Sequence, residues 1–190
     1  MKRYFYHGIE FFLPATIDIL NIVIKILNEG LKTRQEVRKF NYETCGKYEH
    51  VCLYRKAEPC EYDNRNFNQR KQMFSALDTW IENGFVFIIS PDINAVKAKH
   101  GEETNVVDEW RSIGGIDLND IVGIGLPYSA FNEYFANGTF KEKEKNIVME
   151  LIKRIEDIAN SRGLMIVDSC IPNFTDTLDE TLNNEKVKQI

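Results

Sequence analysis

An imidazole, a phenol and a carboxylate stand at His7, Tyr54 and Glu109, each inside a short segment that reads as a β-strand. These three groups suit one another chemically. A fixed carboxylate stabilises positive charge developing on a neighbouring atom, and preorganised electrostatics of this kind contribute heavily to catalysis. An aromatic face stacks against a flat ring. Imidazole carries a donor and an acceptor and can hold the hydroxyls of a sugar. Each residue also has a plainer reading. A histidine at a strand end is a hydrogen-bonded structural residue, a tyrosine in an apolar strand is core, and Glu109, two residues before Arg111, is half of an ion pair worth little when exposed.

The elements that must position these residues follow from hydrophobic periodicity. Arg3 to His7 is an aromatic strand that Gly8 breaks. A helix follows from Ala15 to Glu29, with Asp18, Asn21, Lys25 and Asn28 in one polar stripe. Everything else on it is apolar, so the helix is expected to be covered on most sides, Ile22 included. Gly30 suits its end, because glycine enters the left-handed region without a Cβ clash. Tyr48 to Arg55 reads as a strand, Phe67 to Asn83 as a helix, and Phe85 to Ile89 as a central strand. Val106 to Ile113 alternates, with Val107, Glu109, Arg111 and Ile113 on one face and Asp108, Trp110 and Ser112 on the other. After the break at Gly114-Gly115, Ile121 to Leu126 is a further strand. Ser129 is placed to cap a short helix to Phe135, and Lys141 to Ser161 is a long amphipathic helix before a last strand at Leu164 to Val167. The helices and strands show no regular βαβ rhythm, which points to an α+β domain over residues 1–170. Residues 171–190 have the composition of a polar, unstructured tail, with Asp176 to Glu180 as a solubilising end.

Composition narrows the chemistry. The chain has 190 residues, 43% hydrophobic and 28% charged, with a net charge of -5. It lacks the overall basic field that non-specific nucleic-acid binding needs. No small-residue cleavage site follows the basic start. The apolar stretch from Phe11 to Leu27 carries Pro14, Asp18, Asn21 and Lys25, so neither a secretory leader nor a membrane span is expected. A cytoplasmic protein is the expectation. Cys45, Cys52, Cys60 and Cys170 form no CxxC pair. His50 between Cys45 and Cys52 is a weak zinc signal, and reduced, structurally ordinary thiols are the reading, with no metal. Gly114-Gly115 and Gly123-x-Gly125 match neither common phosphate-binding loop.

Three segments taken together carry a resemblance. They are Tyr6-His7-Gly8-Ile9 with a helix ending Asn28-Glu29-Gly30-Leu31, then His50-Val51-Cys52-Leu53-Tyr54-Arg55, then Glu109-Trp110-Arg111 running to Asp120-Ile121-Val122-Gly123-Ile124. Their order resembles the ADP-ribosyltransferase superfamily, in particular divergent bacterial members of its His-Tyr-Glu branch, over roughly residues 3–127. The resemblance implies a split β-sheet core with flanking helices, NAD as substrate, and transfer of ADP-ribose to a protein or nucleic-acid acceptor, or NAD hydrolysis. It implies that His7, Gly8 and Tyr54 bind the dinucleotide and that Glu109 is catalytic. Tyr62 is a competing stacking residue, and Glu102 and Glu103 are competing carboxylates. A non-catalytic nucleotide- or protein-binding module on the same scaffold is the alternative, since function resides in the site and not in the fold.

Overall fold

A computed structural model describes residues 3–9, 13–33, 50–55, 84–98, 108–171 and 174–180. In chain order the elements are β1 (Phe5–Ile9), a 3-10 turn at Leu13–Ala15, α1 (Thr16–Glu29), β2 (His50–Tyr54), β3 (Phe85–Ile89), β4 (Ala95–Lys97) and β5 (Glu109–Ile113). A 3-10 turn at Leu118–Asp120 leads to β6 (Ile121–Leu126), α2 (Tyr128–Ala136), α3 (Glu142–Ser161) and β7 (Met165–Asp168). Residues 174–180 form a last helix, α4. The architecture is mixed α+β around one seven-stranded sheet, ordered β4-β5-β2-β1-β3-β6-β7. All its pairings are antiparallel except β6 with β7. The expected helix over 67–83, and Cys45, Cys60, Tyr62, His100, Glu102 and Glu103, lie outside the described residues.

The two faces of the sheet are covered by different elements. Phe5, Val51, Leu53, Phe85, Phe87, Ile89, Ile121, Ile124 and Leu126 pack with Leu20, Val23 and Leu27 of α1 and Val148, Ile152 and Ile155 of α3. The opposite face holds Tyr4, Tyr6, Val86 and Ile88 under Phe174 and Leu178 of α4. The alternation of a strand sends successive side chains to these two layers, so β1 and β3 are buried from both sides. All five side chains of β3 are buried, as its unbroken apolar run requires.

The termini of α1 and α3 are tied together. Gly30, at a φ of 81°, ends α1, and a Cβ there would lie 2.3 Å from the Ile116 carbonyl oxygen. That closeness permits the bridge in which Leu31 N donates to Ile116 O at 3.0 Å and Ile116 N to Leu31 O at 2.8 Å. Arg162, just past α3, donates through Nη1 to Leu27 O at 2.7 Å and through Nη2 to Leu118 O, satisfying carbonyls at the end of α1 and in the 3-10 turn. Gly123 and Gly125 serve packing. A Cβ at Gly123 would meet Ile88 Cδ1 at 2.8 Å.

Several expectations are corrected. Gly8 lies within β1, paired with Val86. Ser129 is not a cap: its hydroxyl donates to Asp168 Oδ2 at 2.6 Å, and the residue before α2 is Pro127. Ile22 is 49% exposed, because the core-facing stripe of α1 is Ile19, Leu20, Val23, Ile24 and Leu27. The segment from residue 171 is not wholly an unstructured tail. Phe174 and Leu178, four residues apart on α4, cover the sheet, and Asp179 is buried among them instead of solubilising an end. Asp179 Oδ1 accepts from the Tyr6 hydroxyl at 2.9 Å and from Tyr4 N at 3.1 Å, which satisfies a buried phenol and a buried amide at once. Among the described residues, no helix is long and apolar enough to cross a membrane.

Two outcomes follow. Leu20→Ala removes a fully buried side chain and should cost about 2–5 kcal/mol in urea unfolding, whereas Ile22→Ala should fall within about 0.5 kcal/mol of the parent. Equal losses would place Ile22 in the core after all. For Asp179, burial raises the carboxyl above its ordinary 3.8, with the bonds from Tyr4 and Tyr6 pulling the other way. The folded state therefore holds this proton more tightly than the unfolded chain. Its contribution is full below 3.8 and is lost as pH rises through the raised value. Asp179→Asn should remove that decline, so the variant gains relative to the parent between pH 3.8 and neutrality. A constant difference across that interval, measured by unfolding at stepped pH, would refute it.

Candidate functional site

β2 and β5 lie side by side near one margin of the sheet, with Tyr54 opposite Glu109, Cys52 opposite Arg111 and His50 opposite Ile113. Directly opposed residues point to the same face. His50, Cys52, Tyr54, Glu109 and Arg111 thus form one patch on the face that also carries Tyr6, which opposes Tyr54 from β1. Val51, Leu53 and Trp110 point to the helix-covered face, where Phe5 meets Trp110 edge-on at 5.5 Å between ring centroids. Arg55 caps these rings, with its guanidinium carbon 5.2 Å from the Phe5 centroid and 5.5 Å from that of Trp110. This packing fixes the register of β2 against β5 from below, and a one-residue slip would send the whole patch into the core.

Within the patch, Glu109 is 7% exposed and sits at the first position of β5. Its Oε1 lies 3.1 Å from Arg111 Nε in an ion pair and 3.9 Å from the Cys52 thiol, which donates to it. A buried carboxylate is stable only with such partners. Tyr54 is half-buried and packs against the α4-covered layer.

The structure brings Tyr54 and Glu109 together and separates His7 from them. His7 opposes Phe87, which belongs to the helix-covered core, so the strand alternation places His7 on the other face from Glu109. The three residues on which the resemblance rests therefore do not share one face of the sheet. His7 is nonetheless linked to the patch through the backbone, since its Nδ1 lies 2.8 Å from the Cys52 carbonyl oxygen. That inter-strand bond holds β2 at the position from which Cys52 reaches Glu109. A surface cavity between Leu13–Asp18 and Phe140, and a second among Ile93, Val96, Ile113, Ile116 and Asp117, are lined by other residues.

The sequence groups His50 and Cys52 only with Cys45, as a weak zinc signal, and does not join them to Glu109. His50 and Cys52 share a face by their spacing of two, but the neighbourhood of Glu109 depends on the pairing of β2 with β5, 57 residues away. Alternation in both segments was the available signal. Comparison with known proteins finds no matching family model, no similar curated protein and no similar solved structure.

The Glu109–Arg111 pair yields a measurable coupling. Arg111→Met leaves a nearly buried carboxylate without its cation and should destabilise by on the order of 1–3 kcal/mol. Glu109→Gln in the same chain should recover part of that, giving a coupling of about 0.5–3 kcal/mol in a double-mutant cycle. Additive single effects would mean that the pair carries no energy.

Proposed function

We propose that this protein is an ADP-ribosyltransferase-like enzyme that uses NAD, with Glu109 as its catalytic carboxylate and Tyr54 as the aromatic platform beside it. The observation that carries this reading is the direct opposition of Tyr54 and Glu109 on β2 and β5, in a half-open patch. A flat ring held against Tyr54 would bring its attached sugar next to the Glu109 carboxylate. There the negative charge stabilises the cationic character that grows as the glycosidic bond to nicotinamide lengthens. Arg111 orients that carboxylate through the ion pair at 3.1 Å. His7 acts as a positioning residue, holding β2 through the Cys52 carbonyl, and Gly8 lies beside it in β1. The acceptor is a protein or a nucleic acid.

A second reading has specific support. The ion pair to Arg111 offsets the charge of Glu109, and His7 faces the other layer. Both features favour a module that binds a nucleotide or a partner protein without turning it over.

Nicotinamide release separates the two. On the first reading Glu109→Gln lowers release by about a hundredfold or more while NAD affinity changes much less, because the charge matters mainly in the transition state. Tyr54→Ala weakens affinity as well as turnover. NAD-dependent thermal stabilisation with no nicotinamide released by the parent chain would support the module, and full activity in Glu109→Gln would remove Glu109 from the catalytic role.

A further inference from the structure

One side-chain cluster offers chemistry that neither reading uses. His50, Cys52 and Glu109 each present a ligand atom, and those atoms lie within 4.8 Å of one another. The Cys52 sulfur and Glu109 Oε1 are 3.9 Å apart. A tetrahedral zinc ion bound by sulfur at about 2.3 Å and by carboxylate oxygen at about 2.0 Å sets those two ligands roughly 3.5 Å from each other. The observed spacing needs only a small side-chain closure. His50 and Cys52 project to one face from alternate positions of β2, and Glu109 projects to the same face from the adjoining strand.

We propose that His50, Cys52 and Glu109 form a three-ligand site for zinc. Imidazole, thiolate and carboxylate together suit that ion, and the thiolate and imidazole disfavour magnesium and calcium. Three protein ligands leave a fourth coordination position for water or a small anion, and the partial exposure of Cys52 and His50 gives the ion a way in. Binding breaks the Cys52 S–H bond, forms a zinc–sulfur bond and releases the proton to solvent. The thiolate and carboxylate together offset the two charges of the ion. Arg111 adds a positive charge at 3.1 Å from Glu109 Oε1. It also hydrogen-bonds the carboxylate through Nε, and outer contacts of this kind orient metal-bound carboxylates. The site shares Glu109 with the NAD reading, and the two are told apart because the readout here is the metal itself.

The test uses the full reduced chain and cobalt(II) as the visible substitute for zinc. We expect one equivalent to produce a thiolate-to-cobalt charge-transfer band and the visible bands of a tetrahedral centre, both displaced by zinc. Cys52→Ser should abolish the charge-transfer band. His50→Gln and Glu109→Gln should each weaken cobalt affinity by about tenfold or more, the scale at which perturbed coordination shells act. Cys45→Ser, Cys60→Ser and Cys170→Ser should leave the spectrum intact. At equal concentration zinc should raise the melting temperature of the parent by more than that of His50→Gln, which keeps the thiol if Cys52→Ser fails to fold. Absence of a charge-transfer band, or a band that survives Cys52→Ser or is unaffected by His50→Gln, would overturn the site.

Discussion

The central strands β1 and β3 need cover on both faces, and the rest of the molecule is arranged by that requirement. Phe5 and Phe87 point toward α1 and α3, while Tyr6 and Ile88 point toward α4. Each residue shift along β1 exchanges these environments, so the register of the first strand decides which side chains need polar partners. Tyr6 is fully buried and meets that need through Asp179. The cover thins toward β2 and β5, where His50, Cys52, Tyr54 and Arg111 are only partly buried. Polar chemistry collects at that margin because an ionised side chain deeper in the sheet would lose its hydration without recompense.

Glu109 is therefore asked to satisfy several neighbours with two oxygens. Arg111 and Cys52 both contact Oε1, and Tyr54 stands opposite across the strand pair. The cation fixes the orientation of the carboxylate, which suits electrostatic catalysis and metal binding alike. It also draws on the same lone pairs that either role would use. Glu109 is nearly buried and its partners are half-exposed, so the balance among them responds to small side-chain movements of Arg111 and Cys52.

Much of this was legible in the residues. The alternation of 109–113 put Glu109 and Arg111 on one face and Trp110 on the other, as the β2–β5 ladder has it. The continuous run at 85–89 read as a doubly covered strand. What could not be read was orientation. On α1 only a narrow polar stripe breaks an apolar surface, and such a helix does not reveal which apolar side faces the core, so Ile22 was misplaced. His7 and Tyr54 each belong to recognisable strands, but whether two strands show the same parity to one face depends on register, and Tyr6 rather than His7 opposes Tyr54. In the acidic stretch after 171, Phe174 and Leu178 recur at a spacing of four, but a few apolar residues among charged ones do not distinguish a helix that packs from one that stays in water.

The position of β1 in the sheet has a consequence for biosynthesis. Of the described strands, β1 is made before the others, and it is the middle strand of the finished sheet. β2 meets it at Tyr6 opposite Tyr54, whereas the five-pair ladder from Phe5 to Ile9 is formed with β3. At about 5–20 residues per second, translation from Ile9 to Phe85 occupies on the order of 4–15 s, during which Phe5 and Tyr6 have no strand to complete their burial. The Asp179 that receives the Tyr6 hydroxyl emerges later still. Through that interval Phe5 and Tyr6 lack their β3 partner, a state in which early binding by a chaperone, or early collapse onto α1, shields the segment from pairing with other chains.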